Sequence, residues 1–232
     1  MKLGLMQPYF FPYLGYWQLM NAVDKYVIYD DVNYIKQGWI HRNRILVHGQ
    51  AAYFNLPKFG GSQNQLINEV RVNNDPRLVR KNLSKIEASY KKAPYYADAY
   101  PIVRSVLECG KENIVDYLLE SFRIVGDYLG IKTELIMSSH LEKDCSLRAQ
   151  EKVLAICKIL EATEYYNTIG GKSLYSYEDF SLQGIKLKFL KPGISEYEQF
   201  GGDFVSSLSI IDVMMFNPVE KVKKMLDDFQ VI

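Results

Sequence analysis

KLGLMQPYFFPYLGYWQLMNAVDKYVIYDD, residues 2–31, is the stretch whose reading decides the fold. Lys2 to Met6 is a short apolar run of strand length. Pro8 and Pro12 then bound an aromatic loop, because the residue before a proline is driven out of helical conformation. From Gly15 to Val23 the apolar residues Trp17, Leu19, Met20 and Val23 suit a helix. Lys25 to Tyr29 is β-branched and aromatic, the composition of a second strand. Strand, loop, helix and strand within about thirty residues suit a right-handed parallel crossover. The chain is therefore read as an α/β protein. Its aromatic loop falls at the carboxyl end of the first strand, where open α/β sheets bind ligands.

Working outward, Arg44 to Val47 and Ala52 to Leu56 flank His48-Gly49-Gln50 and predict a β-hairpin. Phe59-Gly60-Gly61-Ser62 reads as a loop, and Ile67 to Val72 as a strand. Asn74-Asp75-Pro76 is a helix start, a polar cap followed by proline in the first turn. That helix runs to about Lys91, and further helices span Tyr95 to Leu107 and Asn113 to Leu129, the last stopped by Gly130. Strands are expected at Thr133 to Met137, Glu164 to Asn167 and Ile185 to Leu190, with an amphipathic helix from Ser146 to Leu160. Ile210 to Phe216 and Val219 to Phe229 read as closing helices. The expected architecture is one domain, residues 1–232, with a parallel or mixed sheet built from both halves. A helical segment at about residues 75–130 covers a face or forms a cap.

Composition narrows the class. Hydrophobic content of 48% and charged content of 24% exclude a disordered chain. A net charge of +1 argues against a dedicated nucleic-acid binder. No stretch reaches the ~20 apolar residues that cross a bilayer, and Met1 to Met6 is too short for a secretory core. Cys109, Cys145 and Cys157 form no CxxC pair and are odd in number, so free thiols in a reducing cytoplasm are expected. No HxH, HExxH or Cys/His cluster points to a metal site.

Four segments carry candidate chemistry. In the first, Gln7, Tyr9, Gly15 and Tyr16 stand at a strand end and a helix start, with Gly15 leaving room for close approach of a ligand. The placement resembles the HxGH loop of nucleotidyltransferases and adenylating ligases, with Tyr13 and Tyr16 where histidines would stand. In the second, Asp30 and Asp31 follow the second strand and are candidates for general-base work or for holding an ammonium. In the third, Lys36, Trp39, Arg42, Asn43 and Arg44 mix cations, an aromatic and an amide; the cations suit a phosphate or carboxylate and Trp39 suits a planar ring. In the fourth, Gly170, Gly171, Lys172 and Tyr175 follow a later strand, where a glycine pair and a lysine suit an anion. His140, after the strand before it, is a further catalytic candidate.

Read together, these segments resemble the WbqC-like protein family. The resemblance is carried by Gln7-Pro8-Tyr9, Phe11-Pro12 and Gly15-Tyr16, by Val27 to Val32, and by Lys36, Trp39 and Arg42-Asn43. It continues through Gly170-Gly171-Lys172, Tyr175, Tyr197, Gln199, Leu208 to Asp212 and Phe216-Asn217. Family members often carry Trp where this chain has Tyr13, which keeps an aromatic wall. The resemblance implies a cytoplasmic step in building O-antigen or other surface-polysaccharide sugars, especially N-acylated amino sugars.

The resulting expectation is an N-acyl or aminoacyl transferase acting on a nucleotide-linked amino sugar. Asp30 or Asp31 would hold or deprotonate the amine, with Lys36 and Arg42 on pyrophosphate or a donor carboxylate. ATP with Mg²⁺, or acyl-CoA, would serve the donor side. No nucleic acid or membrane insertion is expected, and a homo-oligomer is compatible with the sequence. Two alternatives stand beside this: a non-catalytic nucleotide-sugar-binding module of a biosynthetic complex, and a glycosyltransferase in which Asp30-Asp31 imitates a DxD motif.

Overall fold

The computed structural model describes residues 1–193 and 196–232. Strand β1 (Lys2–Met6) leads through the aromatic loop into helix α1 (Leu14–Asn21) and back to β2 (Lys25–Ile28). The two strands pair in parallel, Leu3 beside Lys25 and Met6 beside Ile28. The hairpin follows as β3 (Arg42–Val47) and β4 (Gln50–Asn55), longer than expected because its turn is only His48-Gly49. Both turn residues take positive φ, 50° and 76°, the geometry that matches the twist of paired strands.

Short strands β5 (Lys58–Phe59) and β6 (Arg71–Val72) pair with each other. The strand expected from Ile67 to Val72 is reduced to those last residues. Ile67–Glu69 instead turns as a 3₁₀ segment, with the Glu69 carboxylate accepting the Leu66 N–H at 2.9 Å. Helices α2 (Pro76–Tyr90), α3 (Tyr96–Leu107) and α4 (Ile114–Leu129) form the helical middle. Asp75 caps α2 by accepting the Arg77 N–H, and Asn113 caps α4 in the same way.

Strand β7 (Glu134–Met137), helix α5 (Ala149–Ile159), strand β8 (Glu164–Thr168), helix α6 (Tyr177–Leu182) and strand β9 (Lys186–Pro192) follow. Helices α7 (Ile210–Phe216) and α8 (Val219–Leu226) come next. The helix expected up to Phe229 stops at Leu226, and Phe229–Val231 becomes strand β10, antiparallel to β9. Gln18 of α1 explains the stop: its amide donates to Met225 O at 2.8 Å and Asp228 O at 2.9 Å, satisfying carbonyls that a helix end leaves open.

The main sheet has the order β10-β9-β8-β1-β2-β7 and is parallel except for β10. One face carries Leu3, Leu5, Val27, Tyr165 and Phe189 against Val153, Ile156 and Cys157 of α5 and Phe180 of α6. The other face meets α1, which lies between the sheet and α4: Tyr16 touches Tyr26 of β2, and Trp17 meets Phe122 of α4 edge-on. Burial on both faces is why β1 reads as an unbroken apolar run.

From β1 the chain proceeds toward β2 and β7. From β8 it proceeds the opposite way, to β9. The switch point lies between β1 and β8, and the crevice outside their carboxyl ends is where such sheets take ligands.

Candidate functional site

The loop after β1 is pinned rather than mobile. Asn43 is fully buried, and its amide donates to Phe10 O at 3.1 Å and to Phe11 O. Ser209 donates its hydroxyl to Phe11 O at 2.8 Å, and the Trp17 indole donates to Pro12 O at 3.1 Å. Tyr16 closes the set by donating to Gln7 O at 3.0 Å. Residues 208–210 also zip onto the loop, Ile210 N–H donating to Pro12 O. Asn43 and Tyr16, expected to touch substrate, therefore shape the loop; Tyr16 also reaches the pocket beside it.

That pocket has a volume of about 480 Å³ and is walled by Gln7, Tyr9, Tyr13, Tyr16, Ile35, Trp39, Arg44 and Ser207. Tyr9 stacks on Trp39 with ring centres 5.7 Å apart and meets Tyr16 edge-on at 5.8 Å. Burial pushes the Tyr9 phenol up, as does Tyr13 beside it, and Arg44 only partly opposes this. Both Tyr9 and Tyr13 therefore stay protonated and present hydroxyl donors. A larger groove of about 570 Å³, between the hairpin, α2 and Phe200, lies away from the strand ends. The aromatic pocket is the better candidate because it sits at the carboxyl end of β1.

The three cations of the third segment have different fates. Arg42 is spent on its own loop: its guanidinium donates to Gly38 O and Gln37 O, and lies 4.8 Å from the Tyr53 ring centre. Lys36 is exposed and follows Ile35 in the chain, but it is not among the residues that line the pocket. Arg44 turns into the pocket, 5.7 Å from the Trp39 ring centre, with one long contact of 3.4 Å to Ser207 O. Its buried Nε has no partner among the described residues.

The opposite face of the same edge is closed. Asp30 is buried and accepts the Ser139 N–H at 2.9 Å, tying β2 to β7. Asp31 takes both Lys143 and Lys152 on one carboxylate oxygen, at 2.9 and 3.0 Å. Burial would raise its carboxyl, but Lys143, Ser138 and Lys152 outweigh that and hold it below the ordinary range. It is a poor base. Lys152 also donates to Asp31 O and lies over the Tyr29 ring.

Gly15 does not leave room for a ligand. A Cβ there would meet the Tyr13 ring at 2.5 Å and Pro192 at 2.7 Å, so the glycine exists for packing. Gly171 is similar, buried against Asn167 Oδ1. Asn167 in turn donates to Tyr165 and Tyr175 hydroxyls at the end of β8. Gly170 and Lys172 are exposed, Tyr175 is half-buried, and His140 is exposed after β7.

The residues 170–175 turn and the aromatic pocket thus occupy the same edge, but the pocket walls do not include that turn. Lys143, Lys152 and Ser207 were not singled out from sequence. Lys152 had a signal: it sits on the apolar stripe of α5 with Val153, Ile156 and Cys157.

Among the described residues, no group of three or more His, Cys, Asp or Glu is gathered to hold a metal ion. All three cysteines are free; Cys157 is buried and its thiol is pushed up to about 12, first by burial. Among the described residues, no helix is long and apolar enough to cross a membrane.

The fold and pocket define an α/β protein with an aromatic, arginine-bearing cleft at the carboxyl edge of a mainly parallel sheet. The chain belongs to the WbqC-like protein family, which it matches over residues 7–224. It is similar to an uncharacterized protein of Mycobacterium tuberculosis, Rv1507c, 28% identical over 222 residues that cover 93% of each chain. No solved structure matches it.

Proposed function

We propose that the chain is a cytoplasmic group-transfer enzyme of surface-polysaccharide synthesis, acting on the amine of a nucleotide-linked amino sugar. The observation that carries this is the pocket of Tyr9, Tyr13, Tyr16 and Trp39 with Arg44. Aromatic faces suit the CH face of a sugar or a nucleobase, and phenol donors suit its hydroxyls. The exposed Lys36, next in sequence to the pocket residue Ile35, suits the diphosphate.

In the reaction the amine nitrogen attacks an acyl carbon. An amide bond forms, the bond to the donor's leaving group breaks, and the amine gives up a proton. The leaving group is a thiolate if acyl-CoA is the donor, or AMP if ATP has activated a carboxylic acid, with Mg²⁺ arriving on the nucleotide. None of the three candidates for proton transfer, Asp30, Asp31 and His140, lines the pocket, so in this proposal the amine's proton leaves to solvent. Asp30 and Asp31 hold the edge.

A second reading, a non-catalytic sugar-nucleotide-binding module, is favoured by the engagement of both those carboxylates. The test incubates the folded protein with a nucleotide-linked amino sugar and either acyl-CoA or a carboxylic or amino acid plus ATP, and follows mass. A product mass supports transfer. Thermal shifts without turnover support the binding module, and neither shift nor product sinks both.

A further inference from the structure

Arg44 is an unusual arginine in this protein. Arg71, Arg77, Arg104 and Arg123 each have a carboxylate within 4.0 Å. Arg42 has two carbonyls. Arg44 is half-buried among aromatic rings, has one long carbonyl contact, and has no carboxylate at ion-pair distance among the described residues. Among the described residues, no acidic side chain lines its pocket. A partly desolvated cation without a partner is costly, and an incoming anion removes that cost.

The anion's kind follows from what surrounds it. The pocket holds one guanidinium, so it balances one negative charge. The neighbouring guanidinium of Arg42 has its Nε and Nη2 already engaged and offers no second fork. A diphosphate needs more cations than this. A carboxylate matches both the charge and the planar donor edge. The walls beside it, Tyr9 and Trp39 in stacked array, match the face of a ring.

We infer that this pocket selects a ring bearing a single carboxylate, and that Arg44 is its specificity-determining residue. The inference deepens the proposed function and rests on its placement of substrate in this pocket. The carboxylate belongs either to an acidic nucleotide-linked sugar or to a free ring acid on the donor side.

Calorimetric titration of the whole chain separates these. UDP-glucuronate is compared with UDP-glucose, and cyclohexanecarboxylate with cyclohexylmethanol. The acid of at least one pair is expected to bind roughly tenfold or more tightly than its neutral partner, as a charge-assisted double hydrogen bond provides. Arg44→Lys should lose most of that preference because an ammonium lacks the planar edge, and Arg44→Gln all of it. Thermal melts followed by circular dichroism, compared with the parent, show that both variants fold.

If UDP-glucose binds as tightly as UDP-glucuronate and neither ring compound binds, the inference fails while the sugar-nucleotide reading stands. If only cyclohexanecarboxylate binds, the inference stands on the donor side and the pocket is not the sugar's. An acid preference that survives Arg44→Gln overturns the inference, and so does the absence of binding by either acid.

Discussion

Replacing Asp31 with Asn separates a catalytic carboxylate from a structural one. Lys143 and Lys152 converge on the same Asp31 oxygen at 2.9 and 3.0 Å, and their side chains are only 2% and 5% exposed. Asn keeps the shape but removes the charge, leaving two ammonium groups in a place water scarcely reaches. Removing one partner of a buried ion pair costs ~3–5 kcal/mol. At ~2–4 °C per kcal/mol for a chain of this size, the melting temperature should fall by roughly 6–20 °C. The sign of the pH dependence is fixed as well. The native carboxyl titrates below its ordinary value, so its contribution is present above the unfolded carboxyl's pKa and is lost as pH falls through the lower native one. The gap between parent and Asp31→Asn melting temperatures should hold from neutral pH down to the ordinary carboxylate range and narrow only below it. Melts followed by circular dichroism across that range measure this directly. Adding Lys143→Met to Asp31→Asn should recover part of the loss, because it removes one stranded ammonium. A loss under ~1 kcal/mol, the worth of an exposed pair, together with abolished turnover, would refute the structural reading and return Asp31 to the chemistry.

Gly15→Ala should destabilise by ~1–3 kcal/mol through overpacking, since its Cβ would press on the Tyr13 ring and Pro192; chemical denaturation measures it, and an unchanged midpoint refutes the packing role. Trp39→Ala should leave the melting temperature within a few degrees, because Trp39 is 38% exposed, yet weaken ligand binding about tenfold by removing the ring that stacks on Tyr9; equal affinity in titration would move the ligand elsewhere. His41 is held down to about 4, first by burial and then by Lys58 and Arg42, while it shares a 2.5 Å hydrogen bond with Tyr34. Its contribution to stability is therefore full above the ordinary histidine value of about 6.5 and declines as pH falls from there toward the native value. An NMR titration should place His41 near 4, and His41→Gln should flatten that part of the pH–stability curve.

The strands and helices that bury one continuous face were legible in the chain. β1, α1 and β2 announce themselves by composition and by the two prolines, α2 by the polar cap before Pro76, and α4 by the Gly130 stop. Two misreadings share a cause, a side chain that takes over a backbone group, from far along the chain in one case and from three residues away in the other. Gln18 ends α8 from more than two hundred residues away, and Glu69 turns an apolar stretch that composition alone assigns to a strand. The site follows the same pattern. That residues 7–17 stand at the carboxyl edge of the sheet could be read from strand order, but which cation lines the pocket there could not. Arg42 and Arg44 are two apart on β3, yet only Arg42 has Gly38 O and Gln37 O within reach. Asp30-Asp31 looked like paired acids because the lysines that neutralise Asp31 come from residues 143 and 152. Only Lys152, on an apolar stripe, hinted at a buried partner.

These contrasts give the sheet's carboxyl edge a division of labour. On the α5 face, both carboxylates are engaged within the protein: Asp31 by two lysines, and Asp30 by the Ser139 N–H. Displacing any of these partners would strand another buried group. On the α1 face, the loop backbone is held by Asn43, Ser209, Trp17 and Tyr16, so the Tyr9 and Tyr13 hydroxyls are not consumed in holding it. Arg44 projects from the strand that carries Asn43, the residue that pins the loop. Pocket wall and pocket charge are thereby set by one stretch of β3, and rigidity there lowers the ordering cost of binding. The opening stretch of the chain therefore supplies the walls of the pocket, and β3 supplies its charge.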